Sequence, residues 1–234
     1  MPLASLPGGL RTPQGAAWCA RQSDSLRRVI DRTAASPATY RVRERDPAEI
    51  DLVVLHQTGT GSLSDAAALR VKAHALVLDS GEALRLHPWL GRMRYGSGPI
   101  GNRRGVNVEV RANLPGRYAG GEPIWWRPSD AGLARMRTTR GAWEALLERW
   151  DPDRHRARVL TARDLLATLR RDLPALRFVC PHRTLQAGKG GCPGPDLWRE
   201  VGEWAIRELG LELLPAVSGG AEPPASWRAT PTIS

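Results

Sequence analysis

Two side chains able to bind a metal, His182 and Cys192, stand ten positions apart in Cys180-Pro-His-Arg-Thr-Leu-Gln-Ala-Gly-Lys-Gly-Gly-Cys-Pro-Gly-Pro-Asp-Leu-Trp198. Neutral imidazole and thiolate are ordinary ligands of zinc. The glycines between them let the chain fold back. Pro193, Gly194 and Pro195 delay any helix until Trp198. A catalytic zinc takes three protein ligands and keeps a position open for water, so a third ligand must come from elsewhere. His56 is the candidate, because it closes the apolar run Asp51-Leu-Val-Val-Leu-His56 ahead of the turn-forming Gln-Thr-Gly-Thr-Gly-Ser. Each residue also has a plain reading, a satisfied polar histidine or a cysteine filling space. Spacing alone leaves both readings open.

The elements that must position these groups follow from periodicity. Residues 51–56 read as a strand covered on both faces, and Gly105-Val-Asn-Val-Glu-Val-Arg-Ala112 alternates. There Val106, Val108 and Val110 face one way, while Asn107, Glu109 and Arg111 face the other, which puts a carboxylate on the polar face of a central strand. His74–Asp79 and Ala83–Leu86, joined by Ser80-Gly81, read as a β-hairpin. A short strand is expected at 39–42 and another at 176–179. Helices are expected from Ser23 through Leu26, Val29, Ile30 and Thr33, and after Ser64. A third, from Ser129 or Asp130 to Trp150, is stopped by Asp151-Pro-Asp. Thr161-Ala-Arg-Asp164 resembles a capping box opening a helix to Leu173. The last helix presents Leu197, Val201, Trp204, Ala205 and Leu209, with Gly210 closing it. Residues 91–104 read as a basic loop and 114–128 as an irregular insertion. The sum is an α/β fold, a central mixed sheet flanked by helices. Residues 1–48 form an N-terminal extension with a short helix, 49–212 the main domain, and 213–234 a disordered tail.

With 234 residues the chain buries one good core. A net charge of +10 favours anionic partners: nucleic acid, an envelope polymer or acidic lipid. Three cysteines, an odd number, argue against a disulfide framework. No apolar stretch approaches the roughly 20 residues of a membrane span, and Met1 to Gly15 lacks the pattern of a signal peptide. No paired-cysteine or recognition-helix motif supports nucleic acid, which ranks last. A monomer is expected.

Four segments, in order, resemble the zinc-dependent N-acetylmuramoyl-L-alanine amidase superfamily, which includes phage lysozyme-type amidases and peptidoglycan-recognition proteins. LVVLHQTGTGS is similar to that family's strand ending in its first zinc histidine. AHALVLDSGEALRL is similar to its hairpin, GVNVEVRAN to its glutamate strand, and PHRTLQAGKGGCPGPDLW to its second ligand loop. The resemblance spans residues 51–210. It implies zinc on His56, His182 and Cys192, with Glu109 as the group that takes a proton from water. It also implies peptidoglycan or muropeptides as substrate, with Tyr95, Asn113 and Trp126 as substrate contacts. The site of action is then the cell wall, reached by release or injection, or cytoplasmic muropeptides. The family's hairpin tyrosine is Ala73 here. Its lysine two positions before the last ligand is Gly190, with Lys189 one residue further away and able to face a developing oxyanion. A non-catalytic recognition module remains an alternative.

Overall fold

The computed structural model describes residues 29–59, 64–112, 115–117, 123–125, 152–217 and 219–228. Its core is a seven-stranded sheet with spatial order β1-β5-β4-β7-β3-β10-β11. The strands are β1 (Val29–Asp31), β3 (Leu52–Gln57), β4 (Ala75–Val77), β5 (Ala83–Arg85), β7 (Gly105–Val110), β10 (Phe178–Pro181) and β11 (Glu212–Leu213). Only the β4–β5 hairpin is antiparallel; every other neighbour runs parallel. The sheet is therefore mixed, and the α/β architecture expected from the sequence is present. β3 is an interior strand between β7 and β10, buried at all six positions, as a run of apolar residues requires.

The pleat sorts side chains to two faces. Val53, Leu55, Val106, Val108 and Val110 join Leu165, Leu166 and Leu169 of the helix α3 (Pro152–Asp172) in the principal core. Trp198, Val201 and Ala205 of the C-terminal helical segment pack there too. The opposite face carries Leu52, Val54 and Cys180 against Leu185 and Ile100. Leu76, Leu84 and Leu86 lie there as well, against Ala68 of the short helix α1 (Asp65–Ala68), which Ser64 caps as expected. His56, Asn107 and Glu109 share the parity of this second face, away from α3.

Several expectations are corrected. Val29–Asp31 is not helical: it is an edge strand paired with β5, where two β-branched residues suit a pleated ladder better than a helix. Residues before 29, and the proposed helix at 129–150, lie outside the described residues. The basic segment 91–104 is not a loop. Gly91–Met93 forms β6, pairing with β2 (Arg41–Glu44), and Gly98–Arg104 forms the helix α2 with Pro99 in its first turn. Within the insertion, β8 (Pro115–Arg117) and β9 (Pro123–Trp125) make a two-stranded ribbon. Pro152 opens α3, and the end of the helix expected before it lies outside the described residues. Thr161 is no cap; it sits mid-helix, its hydroxyl donating to the Gly81 carbonyl at 2.7 Å. The tail is ordered through Arg228. Leu214 and Trp227 are buried, and Ala225–Arg228 is helical, because the segment packs back onto the domain. Among the described residues no helix is long and apolar enough to cross a membrane.

One buried cation ties the β2–β6 ribbon to the sheet. Arg45, 3% exposed, donates to the carbonyls of Trp89, Leu90, Gly91, Arg103 and Gly105. Among the described residues no carboxylate forms an ion pair with it; carbonyl dipoles solvate its charge, and burial lowers its pKa to about 10. Replacing it by Met removes its side-chain donors from five carbonyls, of which Gly91 keeps His74 and Leu90 keeps the backbone N–H of residue 45, and unpaired buried polar groups cost about 1–3 kcal/mol each. Arg45→Met is expected to destabilise the fold by about 3 kcal/mol or more in urea titration; a loss under about 1 kcal/mol would contradict the clamp.

Beside it, His74 donates from Nε2 to the Gly91 carbonyl and accepts the Asn107 N–H at Nδ1. Burial, and then the Arg45 cation, push its pKa down to about 3; burial and Arg41 take His87 to about 4. The unfolded chain protonates both near 6.5 while the folded chain does not. Stability is thus full above pH 6.5 and falls as pH drops toward 4, by up to about 1.4 kcal/mol per pH unit for each histidine. A urea midpoint that stays flat from pH 7 to pH 4.5 would contradict neutral burial.

Candidate metal centre and cleft

The site is a row written by strand register. β3 and β7 pair His56 with Glu109, while β3 and β10 pair Leu55 with Pro181, so His182 follows in register with His56. Neighbouring strands lie about 4.8 Å apart, which sets three side chains shoulder to shoulder at the carboxyl ends of parallel strands. Ligand sites in open α/β sheets favour that location.

The imidazole geometry is specific. His56 Nε2 faces the Asn107 amide oxygen at 3.0 Å, and His182 Nε2 faces the Gln186 amide oxygen at 3.0 Å. A carbonyl oxygen only accepts, so both Nε2 atoms carry the ring proton. Both Nδ1 atoms then present lone pairs, and they face one another at 2.9 Å. Burial holds His56 well below its ordinary pKa, with His182 adding to the effect, and burial takes His182 down to about 4. Two neutral acceptors aimed at each other repel unless a cation lies between them.

Cys192 completes the group. After β10 a turn of 3-10 helix, His182–Thr184, starts the loop, and Arg183 N–H donates to the Cys192 carbonyl at 3.3 Å, closing it. Gly194, at φ 95°, lies against Gln57, where a Cβ would stand 3.2 Å from Nε2. One ring nitrogen of each histidine and the Cys192 sulfur lie within 4.8 Å of one another, all three residues buried. Burial, and then the Glu109 carboxylate, push the thiol up, while the Gln57 backbone N–H pulls the other way. The three residues could hold a metal ion. Among the described residues no fourth histidine, cysteine or carboxylate joins them.

No protein-family model matches the chain, and no curated protein does. Among solved structures it is similar to an endolysin N-acetylmuramoyl-L-alanine amidase, LysCS, from Clostridium intestinale URNW, at 11% identity and a TM-score of 0.48, covering 79% of this chain and 96% of that one. Bumblebee PGRP-SA is similar at 13% identity and a TM-score of 0.44, over 81% and 98% of the two chains. The Ph2119 endolysin from the Thermus scotoductus MAT2119 bacteriophage Ph2119 is similar at 17% identity and a TM-score of 0.41, over 74% and 98%.

Glu109 stands beside the group, Oε2 lying 4.0 Å from His56 Nδ1. It does not pair with Arg104 or Arg111, which bind Asp51 and Asp79. Burial raises its carboxyl to about 8, against the pull of Lys189. The row forms part of the wall of an open cleft of about 790 Å³, which Lys189 and Tyr95 also line. Tyr95 is 47% exposed, with the Lys72 ammonium 4.8 Å over its ring and Tyr40 edge-on at 6.4 Å. Asn113 and Trp126 lie outside the described residues.

Arg92 and Arg94 of the basic segment, candidates from the sequence for meeting anionic polymer or stem-peptide carboxylates, line the cleft, whereas Asn107 and Gln186, which orient the imidazoles, and Lys72 in the cleft wall were not among the residues expected from sequence. Asn107 was open to inference, two positions before Glu109 on the same face. Gln186, four residues after His182 in a tight turn, was also within reach. Lys72 left no sequence signal.

Metal binding here must ionise the Cys192 thiol, whereas both imidazoles are already neutral. Zn²⁺ titrated into metal-free protein at pH 7 is expected to release about one proton per ion, read by calorimetry in buffers of different ionisation enthalpy. Proton release near zero would show that the sulfur does not ligate.

Proposed function

We propose that this chain is a zinc-dependent peptidoglycan amidase that hydrolyses the amide between N-acetylmuramic acid and the L-alanine of the stem peptide. The observation that carries the reading is the convergence of two imidazole lone pairs and a thiol beside a half-buried carboxyl in an open cleft. His56, His182 and Cys192 would hold the zinc; three ligands leave a position open, which suits catalysis and not a closed structural site. Bound zinc supplies Lewis acidity, polarising a carbonyl and easing the deprotonation of water.

The chain's own residues do the rest. Glu109 takes a proton from the attacking water and delivers it to the departing alanine nitrogen as the C–N bond breaks. Lys189 faces the cleft, where its ammonium meets the oxyanion that develops on the carbonyl. Lys72, Arg92 and Arg94 outnumber the one carboxylate of the wall and suit the carboxylates of a stem peptide. Tyr95 offers an exposed ring to the substrate; Asn113 and Trp126 are further contacts proposed from the sequence resemblance. The cell wall, reached by release or injection, and cytoplasmic muropeptides both remain settings for this chemistry.

A recognition module without catalysis is the second reading, favoured by Ala73 in place of tyrosine and by the shift of lysine to position 189. Digestion of purified sacculi separates the two, because an amidase frees alanine amino termini and a module binds without releasing them. Glu109→Gln is expected to lower kcat by about 100-fold or more with zinc content kept. Cys192→Ser is expected to fold but lose zinc and activity together. Wild-type hydrolysis by either variant contradicts the role assigned to it.

A further inference from the structure

The loop that bears His182 and Cys192 is bound on its outer side by chain that follows the last strand. Val217 N–H donates to the Thr184 carbonyl at 3.1 Å, and Ala221 N–H to the Arg183 carbonyl at 2.9 Å. Gly220 packs so closely that a Cβ there would collide with the Thr184 carbonyl. Gly219 reaches the loop as well, where a Cβ would touch Ala187 at 3.7 Å. The far end of this strap is anchored by Trp227, 2% exposed in the principal core.

Arg183 is the knot. It directly follows His182, and its backbone N–H donates to the Cys192 carbonyl. Its side chain donates to the Gly190 carbonyl, two residues before Cys192, and through Nε to the Ala221 carbonyl at 3.3 Å. Its guanidinium also lies 4.9 Å over the Trp227 ring. One residue thus joins both ends of the ligand loop to the strap. Arginine's planar fork suits such multiple donation, which a lysine ammonium cannot reproduce in the same directions.

We infer that Arg183 and the strap formed by residues 215–217 and 219–228 are a positioning device that holds His182 and Cys192 in ligating geometry, so that metal affinity depends on chain outside the sheet. Neither group touches the metal position; both act through the ligand loop. The inference rests on the metal reading above, and it adds a dependence that the three ligands alone do not contain. Residues that orient metal ligands from behind typically alter affinity about 10–100-fold when removed.

The test uses the full chain and Zn²⁺ competed against a chromophoric chelator. A second readout is the thiolate-to-metal charge-transfer absorption of the Co²⁺-substituted protein. Arg183→Ala and, separately, Gly220→Ala are expected to weaken Zn²⁺ binding about 10-fold or more and to shift or diminish the Co²⁺ band. Arg183→Lys should restore little of either. Melting of the metal-free proteins reports the fold itself, and a merely structural role would lower that melting temperature while leaving the affinity of the folded fraction unchanged. Affinities and spectra equal to wild type in both variants overturn the inference and leave the metal reading intact. A wild-type protein that takes up neither ion overturns the metal reading, and the inference with it.

Discussion

Two lone pairs facing each other at 2.9 Å constrain most of what surrounds them. Left to itself, such a pair would rotate apart or capture a proton. Here rotation is blocked by the amide oxygens of Asn107 and Gln186 behind the rings, and protonation is opposed by burial. The Asn107 backbone is in turn tied to His74, and His74 to the Gly91 carbonyl that Arg45 also holds. Polar contacts therefore run from the β2–β6 ribbon to the ligand pair without a break. The frustration is local, and its supports are spread across the domain.

The same arrangement separates the duties of the two sheet faces. α3 and the C-terminal helical segment cover the apolar parity of the strands and supply most of the buried area. The other parity is left partly uncovered at the strand ends, where His56 and Glu109 emerge into the cleft. On that side β2 and β6 bring Val42 and Arg92 to the cleft wall, so the segment preceding the main domain builds part of the binding surface. Positive charge collects there because, among the described residues, no carboxylate forms an ion pair with Lys72, Arg92 or Arg94.

How much of this was legible in the sequence depended on whether a signal was local. The unbroken apolar run ending in His56 and the alternation through Glu109 announced two central strands, and the pieces resembling a known family placed His182 and Cys192 with them. Register, which sets His56 beside Glu109 and brings His182 next in line past the end of β10, is a property of pairing and cannot be read from any one segment. Val29 and Ile30 fitted helical spacing and strand propensity equally, and their partner in β5 decided the matter. Pro152 was taken for a stop although proline is also at home in the first turn of a helix. The tail looked disordered because its Pro, Gly and Ala content hid the contribution of Trp227, which only the folded core reveals.

The row also has a bearing on biosynthesis. Its histidines lie 126 positions apart in sequence yet stand side by side, one in β3 and the other just past the end of β10, and the sulfur arrives ten positions later still. A growing polypeptide on the ribosome consequently holds no competent centre until the stretch reaching Cys192 has emerged and paired. The three side chains can therefore come together only once that stretch has been made, and not gradually along the way.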